Sequence, residues 1–106
     1  MRELAVVPVR KPLRPSEVLR RIMNILRSGE VEVTHHCGAR MTERHVDMLD
    51  VEQALYSGVI LRNRVWDAEH ENWKYRVESA DIEGVTLTVI VVVDEAEQSL
   101  RLVTVF

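Results

Sequence analysis

The sequence holds one cysteine, one phenylalanine, two lysines, three prolines and four glycines among 106 residues. A lone cysteine, Cys37, excludes an internal disulfide framework and fits a reducing compartment, so the expected address is the cytoplasm. Four scattered glycines form no Gly-rich loop to cradle phosphates, which argues against nucleoside-triphosphate chemistry. No apolar run approaches the roughly 20 residues needed to cross a bilayer. Nor does the N-terminus show an apolar signal-peptide core followed by a small-residue cleavage site, so no membrane association is expected. Aromatics are 5% of the chain, and the core must therefore be aliphatic, with Trp66 and Trp73 as the large exceptions. Internal repeats and low-complexity tracts are also absent.

What is present is enough apolar sequence, 46%, to fold, in a length that suits one core and not two. The expected organisation is an N-terminal arm over 1–14 and a single domain over 15–106. Net charge is −3, unevenly spread. Residues 1–44 carry nine Lys/Arg against five Asp/Glu, whereas residues 45–106 carry five against twelve. Twelve of the fourteen basic residues are Arg, the side chain that matches phosphate geometry with a fork of donors. Such a polarised domain can present a basic face to RNA, although acidic hairpin tips that merely keep the protein soluble give the same statistic.

Periodicity divides the chain in two. Leu4 to Val9 is a short apolar run broken by Pro8, followed by basic coil. Pro15 and Ser16 read as a helix start with Ser16 as cap. Val18, Ile22, Ile25 and Leu26 make an amphipathic stripe, and Gly29 reads as a left-handed terminator. Val31 to Thr34 alternates as a short strand or edge. A second helix is expected from about His35 to Arg44, a turn at His45–Val46, and a third helix capped by Asp47 with Asp50 and ended by Gly58. Beyond Gly58 the period becomes 2, with strands around Val59–Trp66, Trp73–Glu78, Val85–Val93 and Leu100–Phe106, separated by polar loops at Asp67–Asn72, Ala80–Gly84 and Asp94–Ser99. The fold class is α+β: N-terminal helices on one face of an antiparallel sheet of four strands, five if Val31–Thr34 joins, with Val85–Val93 in the centre.

Residues 34–58 carry the strongest chemical signal. His36, Arg40 and Arg44 stand four apart and line one helix face. An imidazole moves protons near neutral pH and two guanidiniums grip a phosphate, a pairing suited to a phosphodiester. Ordinary salt-bridged helix surface has the same spacing, with Arg40 paired to Glu43 or Asp47. His35, His36, Cys37, His45 and His70 do not form a metal pattern. Three successive ligands point apart on a helix, and no paired C-x-x-C or H-x-x-x-H occurs. No metal and no cofactor is expected. Cys37 lacks an oxyanion loop or an orienting acid, and reads as a small packed side chain.

His36-Cys37-Gly38-Ala39-Arg40-Met41, Arg44, Val46, Val51, Ala54-Leu55, Gly58, Tyr75-x-Val77 and Val103-Thr104-Val105-Phe106 together resemble a bacterial domain of unknown function, number 4258. Its members read H-A-x-x-R-M, then V-x-x-A-L-x-x-G, then x-Y-x-V and a terminal V-T-V-Y. The resemblance covers about residues 30–106. Cys37 stands where alanine is usual, and Phe106 where a terminal tyrosine is usual. That family is similar in layout to ribonuclease toxins of the RelE and MqsR kind, with helices first and then a curved sheet. The resemblance implies an RNA-cleaving or RNA-binding ancestry and an antitoxin-like partner.

Metal-free RNA cleavage needs a base, an acid and cations. The candidate catalytic set is His36 as base or acid, Arg40 and Arg44 as cations, Tyr75 as proton donor or stacking platform, and Thr104 as a partner for His36 or phosphate. Tyr75 as a core-edge aromatic is the alternative. Arg20, Arg21, Arg62, Arg64 and Arg76 are the candidate RNA-binding residues. The expected function is a toxin-like endoribonuclease or its RNA-binding descendant, with a non-catalytic protein-interaction module as the competing class.

Overall fold

The computed structural model describes residues 11–80, 84–94, 96 and 98–106. The apolar run Leu4–Val9, most of the arm, and parts of the loops at Ala80–Gly84 and Asp94–Ser99 lie outside the described residues. Among the described residues three helices and six strands follow in the order α1 (Pro15–Ser28), β1 (Glu30–Val33), α2 (His35–Arg44), α3 (Met48–Ser57), β2 (Val59–Ile60), β3 (Val65–Asp67), β4 (Asn72–Ala80), β5 (Thr86–Asp94) and β6 (Ser99–Val105). The class is α+β, as the change of period at Gly58 requires. Among the described residues no helix is long and apolar enough to cross a membrane.

Each helix starts for a different local reason. Pro15 occupies the first turn of α1, where its missing N–H costs nothing, and Arg14 rather than Ser16 is the cap position, without a side-chain bond. Thr34 caps α2 by accepting the Cys37 N–H. Asp47 and Asp50 form a reciprocal capping box on α3. Between α2 and α3, His45 takes the left-handed conformation, φ 55°, and closes α2 onto the Met41 and Thr42 carbonyls. Gly29 is extended instead of left-handed. Its lack of a Cβ serves packing: a Cβ there would collide with the Gln98 carbonyl oxygen, where β1 begins to pair.

The sheet order is β1-β6-β5-β4-β2, with β3 also on β4, so β5 is central as its unbroken apolar run demands. Two features correct the four- or five-stranded antiparallel expectation. β1 pairs with β6 in parallel, the rest of the domain serving as the crossover. The alternating segment Val59–Trp66 is also not one strand. Leu61 donates to Arg76 O at 2.9 Å, then Arg64 donates to Arg62 O at 2.9 Å in a tight turn that separates β2 from β3. That kink takes Arg62 and Arg64 out of the alternation.

All three helices bury their stripes on one sheet face. Val18, Ile22 and Ile25 of α1, Cys37 and Met41 of α2, and Val51, Ala54 and Leu55 of α3 meet Tyr75, Val77, Leu87, Val89, Val91, Leu100, Leu102 and Val105 in one cluster. α2 sits on β6, and α3 on β4 and β5. The opposite face carries Thr88, Ile90 and Val92, which are buried without joining that cluster. By register Arg76 and Thr104 flank Ile90, and Arg101 lies beside Val92. Aliphatic stems of such long side chains can cover apolar neighbours while their charged heads stay wet.

Val89 is fully buried at the middle of β5. Val89→Asp leaves an unpaired carboxylate there, costing several kcal/mol, enough to unfold a domain of ordinary stability. Circular dichroism should show no cooperative melt, and a cooperatively melting variant would show that the site tolerates charge.

Candidate functional site

The α2 face forms as its spacing requires. Thr34 fixes where α2 begins, and Cys37 and Met41 turn inward. That rotation leaves His36 exposed, with Arg40 and Arg44 half-buried along the flank. Arg40 binds Glu43 at 3.0 Å with its side chain 35% exposed. Among the described residues the side chains of His36 and Arg44 have no hydrogen-bond or ion-pair partner. Cys37 has no exposed surface, and burial pushes its thiol above the ordinary value, so it is a packing residue.

Tyr75 is not near this face. It lies on β4 while α2 lies on β6, and β5 runs between them, two strand spacings or about 10 Å across the sheet. Tyr75 is 4% exposed, and its hydroxyl oxygen accepts the Leu13 N–H at 2.8 Å. Burial raises its pKa, opposed more weakly by that N–H and by the charges of Arg64 and Arg21. The phenol thus docks the end of the arm onto the domain, and Leu13 packs against the core.

Thr104 is on the other side of the sheet. Val91 pairs with Leu102 but Ile90 pairs with Thr104, so Val103 is an extra residue bulged out of β6. One inserted residue reverses every later side chain. Val105 therefore faces the core, whereas simple alternation from Leu100 had placed Thr104 there. The five-residue catalytic set is not assembled: His36, Arg40 and Arg44 share a helix face, and Tyr75 and Thr104 stand apart from it and from each other.

The candidate RNA-binding arginines are equally dispersed. Arg20 and Arg21 share Glu17 on α1, at 2.8 and 3.2 Å. Arg62 is exposed in the kink, and Arg64 approaches Tyr75. Arg76 points to the helix-free face, its guanidinium 5.8 Å from the Phe106 ring centroid.

Two groupings were not anticipated. A cleft of about 820 Å³ gathers Lys11, Arg21, His70, Trp73, Tyr75 and Arg101. Those residues span the arm, a helix, a loop and two strands, so no local motif announces them. At the tip of β3–β4, the ligand atoms of Asp67, Glu69 and His70 lie within 4.8 Å of one another. This cluster is a turn device. Asp67 accepts the Glu69 and His70 N–H groups, the His70 ring at 2.8 Å and Lys74 Nζ at 3.2 Å. Trp66 and Trp73 meet edge to face beside it, centroids 5.3 Å apart.

A family model described as a domain of unknown function, DUF4258, matches residues 33–106. The chain belongs to that family. Comparison with curated proteins and with solved structures gives no match. The DUF4258 match takes in the last residue of β1 and everything from α2 to β6, so His36, Arg40, Arg44, Tyr75 and Thr104 all fall inside it. Arg20 and Arg21 fall on α1, outside it.

Tyr75→Phe removes the acceptor for the Leu13 N–H, and should cost about 1 kcal/mol of stability, read as a lowered midpoint in denaturant. An unchanged midpoint would mean the arm is not held by the phenol. The His70 hydrogen bond, with Lys74, holds the Asp67 carboxyl down from the ordinary 3.8 to about 2. A depressed carboxylate contributes stability above its unfolded pKa and loses it as pH falls towards the folded value. Between about pH 4 and pH 2 the wild-type melting temperature should therefore fall more steeply than that of Asp67→Asn. Parallel curves would contradict the network.

Proposed function

We propose that this DUF4258 protein binds RNA through the α2 face, with Arg40 and Arg44 gripping phosphates and His36 contacting the same backbone, and that it does so without cleaving the strand. The observation that carries this reading is the separation just described. Strand cleavage by general acid–base chemistry asks for two proton-transfer groups within about 3 Å of one phosphodiester. His36 supplies one, and the partners expected from sequence are across the sheet. What stays together is an exposed imidazole and two guanidiniums at one-turn spacing, which is a phosphate-binding arrangement. The sequence resemblance to RelE- and MqsR-type toxins favours an RNA ligand, and a lone, buried Cys37 fits a cytoplasmic setting.

Fluorescence anisotropy with a labelled single-stranded RNA across a salt series tests this. Replacing Arg40 and Arg44 together by Gln should weaken binding and lower the salt slope by roughly 1.4, about 0.7 for each lost contact. Arg27→Gln, at the exposed end of α1, should change neither. Unchanged affinity and slope in the double variant would refute the site. Mapping of cellular RNA 5′ ends after expression should show no new ends, and new ends that vanish in His36→Gln would instead establish an endoribonuclease.

A further inference from the structure

β1 is an edge strand, and among the described residues its outer side is open. Glu30 donates to Gln98 O at 3.0 Å and Thr34 to Leu102 O at 3.1 Å. In a parallel ladder alternate residues address the same neighbour, so Glu30, Glu32 and Thr34 bond towards β6. The N–H and C=O of Val31 and Val33 consequently point away from the sheet. Among the described residues no strand pairs with that side. Sheet edges that carry unpaired main-chain groups are templates for another strand.

The side chains say which strand fits. Val31 packs against the core on the helix side, and Val33 follows it with 39% of its surface exposed. A strand laid beside them would extend the apolar floor with its own alternate residues. On the opposite side Glu30 and Glu32 are exposed, and Glu32 reaches Arg101 at 3.4 Å with its side chain still 60% exposed. A second copy of β1 is a poor occupant. In antiparallel pairing with itself, the register that sets both Val31 and Val33 opposite valine also sets Glu32 against Glu32, and like charges directly opposite are destabilising.

We propose that the open edge of β1 accepts an extended segment of a partner protein whose residues alternate between apolar and Lys/Arg. Its apolar residues pair with Val31 and Val33, and its basic residues face Glu30 and Glu32. Antiparallel addition gives Val31 and Val33 two hydrogen bonds each. This inference does not rest on RNA binding, because the edge and the α2 face are different surfaces with opposite charge.

A capped heptapeptide of alternating lysine and valine serves as the probe, with amide hydrogen exchange of the full ¹⁵N-labelled chain as the readout. Saturating peptide should slow exchange at Val31 and Val33 by about tenfold or more. Glu32 already bonds to β6, and its protection reports whether β1 is intact. Glu30→Lys together with Glu32→Lys should abolish the effect. Glu30→Lys alone, which leaves the Glu32–Arg101 pair in place, should weaken it without loss of Glu32 protection. N-methylating the peptide along one edge keeps its charge but removes its strand-pairing groups, and should abolish protection. Equal protection by the methylated peptide would overturn the proposal in favour of general attraction to an acidic surface. Protection at Val31 and Val33 that rises with protein concentration in the absence of peptide would overturn it in favour of self-association. Protection by single-stranded RNA alone would overturn it by assigning the edge to the nucleic acid.

Discussion

The hydroxyl of Thr34 joins the end of β1, the start of α2 and the bulge of β6. It donates to the Val103 carbonyl at 3.0 Å and accepts the Cys37 N–H at 3.1 Å, while the Thr34 N–H bonds Leu102 O at 3.1 Å. One residue thereby ends β1, fastens it to the bulge in β6 and starts α2. The bulge decides which side chains of the last strand face the core, sending Val105 in and Thr104 out. The cap decides the rotation of α2, because Cys37 and Met41 turn inward from a helix whose first residue is fixed. The outward position of His36, Arg40 and Arg44 follows from that rotation. A valine at 34 would keep the extended backbone but lose both side-chain bonds, leaving the strand–helix corner to packing alone.

Features that depend on neighbours in sequence were legible. The bounds of α2, the Asp47–Asp50 capping box, the turn at His45 and the central place of β5 all follow from local spacing and residue type. Features set by distant pairing were not. Thr34 and Val103 are far apart in the chain, and nothing in Val103-Thr104-Val105 marks the extra residue that reverses the strand. The alternation of Ile60, Arg62, Arg64 and Trp66 is regular enough to suggest one strand, yet β4 accepts it only in two pieces around a tight turn at Asn63. Gly29 shows the same limit on a smaller scale. A glycine after a helix suggests a left-handed cap, whereas the requirement here comes from the backbone of Gln98.

The candidate site divides along the same line. Within α2 the grouping of His36, Arg40 and Arg44 is a property of helical spacing, and even the Arg40–Glu43 pair was among the readings that spacing allows. Adding Tyr75 and Thr104 required knowing the order of the strands and the parity of β6. Strand order places β5 between Tyr75 and α2, and parity puts Thr104 on the far face. The arginines of α1, of the kink and of β4 carry individual attachments, to Glu17, near Tyr75 and over Phe106, and do not converge.

The uneven charge of the sequence acquires a local meaning at the Thr34 corner. On one side of Thr34 lie Glu30 and Glu32, and on the other lie His36, Arg40 and Arg44. The two sets are held on neighbouring elements, so a ligand approaching the corner meets fields of opposite sign within a short distance. On the readings proposed above, a polyanion goes to α2 and a basic peptide strand to the edge of β1. The shape of each surface agrees with its charge. A helix face offers forked donors to phosphate oxygens but no free main-chain groups, whereas a strand edge offers N–H and C=O groups and no cation. Thr34 keeps these two surfaces distinct, because the hydrogen bonds that terminate the strand also begin the helix.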